Sequence, residues 1–251
     1  MTSICDAKLD MEGVVAVWLL NEGSGNKVTD FSGKGHDGEF GGGKPKWVDG
    51  KFGKALSFDG QADFVKMNDP TIPETADLTI GCWVKPGDQQ KTWTNILSSH
   101  NAGPPPRGIS FEQRADNVNL MTVPMGTGDG KWNVDDVNPK PMLTQLKTDE
   151  WNHFAVVKKG DKSIHYLNGK VGIEGKVLKD PIGAATEFLI GKGRCCGNRE
   201  FNGIVDEAFF FKRALSQAEV DEIMAKGFEG TQPVSPADKV ATIWGRIKTR
   251  Y

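Results

Sequence analysis

The sequence predicts an all-β protein, two antiparallel sheets packed as a sandwich, with a short C-terminal helix and a helical tail. Three observations predict it. From Val14 onward the chain is a succession of short runs in which apolar and polar residues alternate, the period of half-buried strands. The runs are bounded by Gly, Pro, Asn or Asp, and the 31 glycines cluster between them, where turns joining many strands need them. No stretch of helical period breaks the series before the last strand.

Twelve strands are predicted, at residues 14–20, 55–58, 64–67, 78–84, 94–98, 108–112, 118–123, 153–158, 163–167, 170–175, 187–190 and 203–211. So many strands need two sheets. Asn168-Gly169 separates two of the runs, and this dipeptide takes the positive φ values of a type I′ turn, so residues 163–175 form a hairpin. Cys82 alternates with Leu78, Ile80 and Val84 and reads as a buried small hydrophobe. His153 and His165 fall within strands, as satisfied sheet residues, and His100 at a strand end. Residues 101–107, with three consecutive prolines, and residues 124–142, around Trp132, read as loops. An aromatic ring at a loop tip either stacks on a sugar or packs the loop on its own sandwich.

Ser216 and Glu219 have the spacing of a capping box, with Leu215 and Val220 as its hydrophobic staple. A short helix follows, with Val220, Ile223 and Met224 on its apolar face and Gly227 as its terminator, plugging one edge of the sandwich. In the tail, Ser235 caps, Pro236 fits the first helical position, and Val240, Ile243, Trp244 and Ile247 recur at helical spacing. That tail either docks on its own domain or contacts a partner. The chain thus divides into an N-terminal segment, 1–12, a sandwich, 13–230, and a tail, 231–251.

A net charge of −2 provides no field for phosphates, which argues against nucleic acid as a partner. No apolar run reaches the roughly 20 residues of a membrane span. The small residues up to Ala7 are compatible with the end of a signal peptide. The four cysteines match no zinc pattern, and the adjacent pair Cys195 and Cys196 would close only a strained ring. One of them pairs with Cys5, or both are free thiols.

Catalytic patterns are missing. A retaining glycosidase needs two carboxyls about 5 Å apart, and the nearest string, Glu219-Val-Asp-Glu, lies on the predicted helix, whose period scatters them. No nucleophile elbow, zinc-protease helix or phosphate-binding loop is present. The sequence therefore predicts a protein that is not an enzyme.

Seven phrases in order, Trp18-Leu-Leu-Asn-Glu-Gly-Ser-Gly25, Asp30-Phe-Ser-Gly-Lys-Gly-His-Asp-Gly38, Ala55-Leu-Ser-Phe-Asp-Gly60, Thr79-Ile-Gly-Cys-Trp-Val84, Trp151-Asn-His-Phe-Ala-Val156, Tyr166-Leu-Asn-Gly-Lys170 and Asn202-Gly-Ile-Val-Asp-Glu207, resemble the landmarks of laminin-G-like (LamG type 3) domains. The resemblance spans about residues 13 to 227 and implies the jelly roll of the concanavalin-A-like lectins and glucanases. It also implies a secreted setting and a binding or cell-adhesion role. A structural Ca²⁺ is implied at Asp30 and Asp206, with backbone ligands at Gly33 and His36 and a further carboxylate at Glu22. Alternation separately places Asp206 on the face of Ile204, Ala208 and Phe210, so a carboxylate heading into that face needs a cation or donors. The expected function is a non-catalytic, calcium-stabilised carbohydrate-binding or adhesion module. Its ligand, a glycan or an extracellular protein, would meet loops carrying Trp93, Asn101, Arg107, Trp132, Arg194, Asn198 and Arg199. The alternative is a protein-interaction or scaffold domain using the basic C-terminal helix.

Overall fold

The computed structural model describes residues 9–68, 72–99, 105–113, 119–129, 131–133, 142–194, 197 and 199–231, with backbone alone for Trp132 and Asn133. The predicted tail helix, Cys5, His100, Cys195 and Cys196 lie outside the described residues.

Two antiparallel sheets form a sandwich. The first runs β16 (Lys170–Lys176), β15 (Lys162–Leu167), β14 (Asn152–Lys159), β7 (Leu78–Pro86), β18 (Asn202–Phe211), β5 (Lys54–Asp59), β4 (Lys46–Asp49), with β1 (Val14–Trp18) also on β18. The second runs β12 (Trp132–Asn133), β11 (Met125–Thr127), β9 (Arg107–Gln113), β8 (Asn95–Ser98), β17 (Leu189–Ile190), β6 (Phe64–Met67), β3 (Gly38–Gly42), β2 (Lys27–Val28), and β10 (Leu120–Thr122) joins β9 to β13 (Thr144–Gln145). The hairpin of β15 and β16 forms as predicted, with Asn168 and Gly169 both at positive φ.

All twelve predicted runs contain strands, and six further strands were not foreseen. The run of β3, Gly-Glu-Phe-Gly-Gly, looks like a loop, yet Gly41 and Gly42 lie beneath the Phe64 ring, where a Cβ would come within 2.1 and 2.5 Å of it. The missing side chains create the packing surface. Residues 124–142 were expected to be one loop, but β11 and β12 form a hairpin there, so Trp132 is a strand residue. Arg107, also expected on a loop, begins β9.

The core between the sheets includes Trp18, Leu56, Phe58, Cys82, Phe111, Phe154, Phe188 and Phe210. Cys82 is a free, fully buried thiol, as its alternation implied. A second cluster covers the other face of the first sheet, where Val17, Val157, Phe209 and Phe211 meet Val220, Ile223 and Phe228. The helix α1 (Gln217–Thr231) therefore lies across that face instead of plugging an edge. It starts at the predicted capping box, with Glu219 N–H donating to Ser216 Oγ at 3.3 Å and Ser216 N–H to Glu219 Oε2 at 2.9 Å. Its regular part stops at Gly227, whose φ is 64°.

A β-bulge interrupts β18. Asp206 faces Trp83 and Phe209 faces Gly81, so three steps along β18 match two along β7, and Glu207 absorbs the difference at φ 50°. The bulge resets alternation. Val205, Ala208 and Phe210 share the inner core, and Asp206 turns to the loop between β4 and β5, contrary to the face assigned from sequence. Its Oδ2 accepts N–H bonds from Lys51 at 2.8 Å and Phe52 at 3.0 Å, whereas its buried Oδ1 has no partner. Glu207 Oε2 accepts the Phe228 N–H at 2.7 Å. His153 lies near Trp83 and Phe209 with both ring nitrogens unpartnered, so the satisfied histidine expected there is not found. Burial drops its pKa to about 3 and keeps it neutral.

Burial raises the Asp206 carboxyl to about 7 and the Glu207 carboxyl to about 8, in the latter case with help from the neighbouring Asp206 charge. Both pKa values lie above their unfolded values, so from about pH 4 to 8 these two carboxyls hold more protons in the native state than in the unfolded chain. The stability they contribute is fully present below about pH 4 and is lost as pH rises. Below about pH 6.5 the buried, neutral His153 and His165 act in the opposite sense, since they are charged only in the unfolded chain. In chelator, urea unfolding should therefore give a free energy that falls by about 2 kcal/mol from about pH 6.5 to 8, where the histidines are neutral in both states. Asp206→Asn should flatten that slope, and an unchanged slope would mean that the carboxyls are not protonated in the fold. Phe210→Ala should cost about 3–5 kcal/mol in the same measurement, as a fully buried ring is lost from the core.

Candidate functional site

Four of the five residues implied as calcium ligands belong to one segment, where they close a backbone turn. Asp30 Oδ1 accepts N–H bonds from Val17 at 3.1 Å and Ser32 at 3.0 Å, and its Oδ2 accepts one from His36 at 3.1 Å. Gly33 N–H donates to the Asp30 carbonyl, and the His36 carbonyl accepts the Trp18 indole N–H at 2.8 Å. Glu22 Oε1 accepts the Thr29 N–H at 2.8 Å. Asp206 closes the other turn, at Lys51 and Phe52. A ring of six to eight oxygens is not assembled from donors aimed in this way. Among the described residues no three His, Cys, Asp or Glu side chains are grouped to hold a metal ion. Of the implied ligands, Asp206 Oδ1 alone is a buried side-chain oxygen without a hydrogen-bond partner.

The residues expected to meet a ligand separate into two places. Trp93, Arg194 and Arg199 come together over the outer face of the second sheet. There the Arg199 N–H and carbonyl engage Glu112 and Asn95 through its guanidinium and backbone respectively: Nη1 donates to Glu112 Oε2 at 2.6 Å, and the carbonyl accepts Asn95 N–H at 3.2 Å. Asn95 Nδ2 donates to the Trp93 carbonyl at 2.7 Å, and Arg194 Nε pairs with Glu187 at 2.7 Å. Arg194 and Arg199 are thus fastened to Glu187 and Glu112, so their charges are already matched. Asn101 and Asn198 lie outside the described residues.

Arg107 is different. It is exposed, forms no ion pair among the described residues, and lines a cavity of about 410 Å³ with Glu74, Thr127, Asp129 and Asp180. Glycines let three chain segments meet backbone to backbone around it. Gly128 N–H donates to the Pro106 carbonyl at 2.8 Å, Gly183 N–H to Gly126 at 2.8 Å, and Gly108 N–H to Gly183 at 3.2 Å. A Cβ on Gly126 would fall 2.3 Å from the Arg107 nitrogen, so a side chain there would force the strands apart. Lys131 Nζ pairs with Asp129 at 2.8 Å and Asp180 at 3.4 Å. The hydrogen bond from Lys131, with one from Thr127, holds the Asp129 carboxyl down to about 2. The backbone of Trp132 pairs with Gly126 on the adjoining strand. The cavity thus offers carboxylate acceptors, a guanidinium donor and a hydroxyl within one rim. Those are the partners that vicinal hydroxyls need. Sequence reasoning found Arg107 and missed the acids. Asp129 had a signal in Gly126-Thr-Gly-Asp-Gly130, whereas Asp180 is brought in from far along the chain and had none.

The helical string Glu219-Val-Asp-Glu does not form a catalytic pair. Glu219 is held by Arg213 and the cap, Asp221 accepts from Gln217, and Glu222 accepts the Leu9 N–H and pairs with Lys226. No helix among the described residues is long and apolar enough to cross a membrane.

No curated protein matches the sequence. Among solved structures, domain 4 of AbnA, a GH43 extracellular arabinanase from Geobacillus stearothermophilus in complex with arabinotriose, superposes with a TM-score of 0.64 at 22% identity, covering 84% of this chain and 98% of that one. The binding domain of Paraclostridial Mosquitocidal Protein 1 gives 0.65 at 14% identity, and the botulinum neurotoxin serotype G binding domain 0.64 at 13%. Each covers 84% of this chain, which spans about half of those two, 52% and 50%. At these identities the likeness is one of fold. The family model Laminin_G_3, Concanavalin A-like lectin/glucanases superfamily, matches residues 59–221. With the two-sheet sandwich and its seven ordered landmarks, this match establishes that the chain belongs to the laminin-G-like family of the concanavalin A-like lectin/glucanase superfamily.

Proposed function

We propose that this protein is a non-catalytic carbohydrate-binding module of an extracellular protein, and that it holds a short neutral oligosaccharide in the cavity beside Arg107. The observation that carries the reading is the convergence there of an unpaired guanidinium with Asp129, Asp180 and Thr127. Carboxylates accept from sugar hydroxyls and the guanidinium donates to ring and hydroxyl oxygens, each bond being charge-assisted. The extracellular arabinanase domain with its arabinotriose supports both the ligand class and the setting. A catalytic role has no support from Glu219, Asp221 or Glu222 of the helix, each of which is engaged.

Titration calorimetry with arabinotriose and a panel of neutral oligosaccharides tests the reading. Binding should weaken at least about tenfold in Arg107→Ala and in Asp180→Asn, as a charge-assisted hydrogen bond is lost. Removal of residues 232–251 should leave it unchanged. Binding that depends on that tail would favour the scaffold alternative, and no binding by any oligosaccharide would remove the reading.

Calcium belongs to this proposal at Asp206 alone, supported by the unpartnered Oδ1. Asp30 already accepts three N–H bonds, so a cation there would compete with those donors. Thermal unfolding at pH 8 should show a melting temperature raised by calcium and lowered by EDTA, with both effects absent in Asp206→Asn. A melting temperature indifferent to both would remove the cation from Oδ1.

A further inference from the structure

A second cavity, of about 930 Å³, opens at the start of β1, beside the end of β18. β1 pairs with β18 alone, and its other edge is capped at Val17, where the carbonyl accepts the Phe31 N–H at 2.8 Å. The cavity lies along the beginning of the strand, Gly13 to Val15. Lys34 and His36 line it from the turn after Asp30, and Lys212 and Arg213 from the end of β18.

Its charge is one-sided. Lys34 and Lys212 are exposed, and neither forms an ion pair among the described residues. Arg213 is spoken for. Its Nη1 and Nη2 pair with Glu219, and its Nε donates to the Glu12 carbonyl at 2.7 Å. It serves as a fixed wall. Glu12 is the one acidic residue on the lining, against the two lysines and Arg213. The remaining wall is apolar, from Met11, Val14, Val15 and Pro73. A lone inorganic ion would fill a small part of this volume, which is that of a ligand of several rings.

We infer that this cavity binds a short anionic oligosaccharide, with a carboxylate or sulfate held between Lys34 and Lys212 and its rings against the apolar wall. No residue lines both this cavity and the one beside Arg107, and the two linings adjoin at Pro73 and Glu74.

Calorimetry with a uronate tetrasaccharide, a sulfated tetrasaccharide and inorganic sulfate alone tests the inference, with amide chemical shifts recorded in parallel. One of the tetrasaccharides should bind, shifting residues 33–36 and 212–213, and weaken as NaCl is raised. The double variant Lys34→Ala/Lys212→Ala should lose at least about tenfold in affinity, while Arg107→Ala should keep it. Both lysines are exposed and unpaired, so the double variant should retain the wild-type melting temperature. Equal binding by the double variant, no binding by either tetrasaccharide, or inorganic sulfate binding as tightly as both would overturn the inference. None of these results bears on neutral sugar binding at Arg107.

Discussion

The bulge at Asp206 and Glu207 is the constraint on which the rest of the first sheet depends. It stands where β18 changes partner. Below it, Asn202 to Val205 pair with β5, and above it Ala208 to Phe211 pair with β1, while β7 runs along the other side of both halves. The extra residue turns two adjacent carboxylates to separate tasks. Asp206 holds the β4–β5 turn through two backbone N–H groups, and Glu207 holds the end of the helix through the Phe228 N–H. An unbulged strand would place residues 206 and 208 on one face and disrupt the inner core.

The same bulge explains why β18 carries three consecutive phenylalanines. Phe210 fills the space between the sheets, and Phe209 and Phe211 lie under the helix, with ring centroids 5.2 and 6.3 Å from that of Phe228. The central strands of the first sheet, β7, β14 and β18, are thus buried on both faces. This double burial costs polar groups their water. Trp83 Nε1, both nitrogens of His153 and Asp206 Oδ1 lie on one row of neighbouring strands without hydrogen-bond partners. Such atoms call for a proton, an ordered water or an ion.

Both cavities lie where the sandwich is not closed. One cavity forms where glycines bring the β9, β11 and 180–184 segments into backbone contact, and the other where β1 lacks a second strand. In both, the rigid sheets hold the backbone and the exposed side chains remain available. Arg194 and Arg199 show the contrast, since they are also loop arginines yet are consumed in holding their own loop down.

Short-range rules determined much of this protein from the sequence alone. Period-2 alternation located twelve of the strands, Asn168-Gly169 fixed a hairpin, and Ser216 with Glu219 set the start of the helix, because each signal is complete within a few residues. Ordered landmarks were enough for the family. Tertiary structure alone decided the rest. The glycines of β3 became a strand because Phe64, from another strand, needed a flat surface. The face of Asp206 was settled by a bulge that alternation cannot anticipate, and the helix was drawn over the sheet by Phe209 and Phe211. Arg107, Asp129 and Asp180 came to line one cavity through backbone contacts between separate segments of the chain, and a cavity of that kind leaves no periodic trace along the sequence.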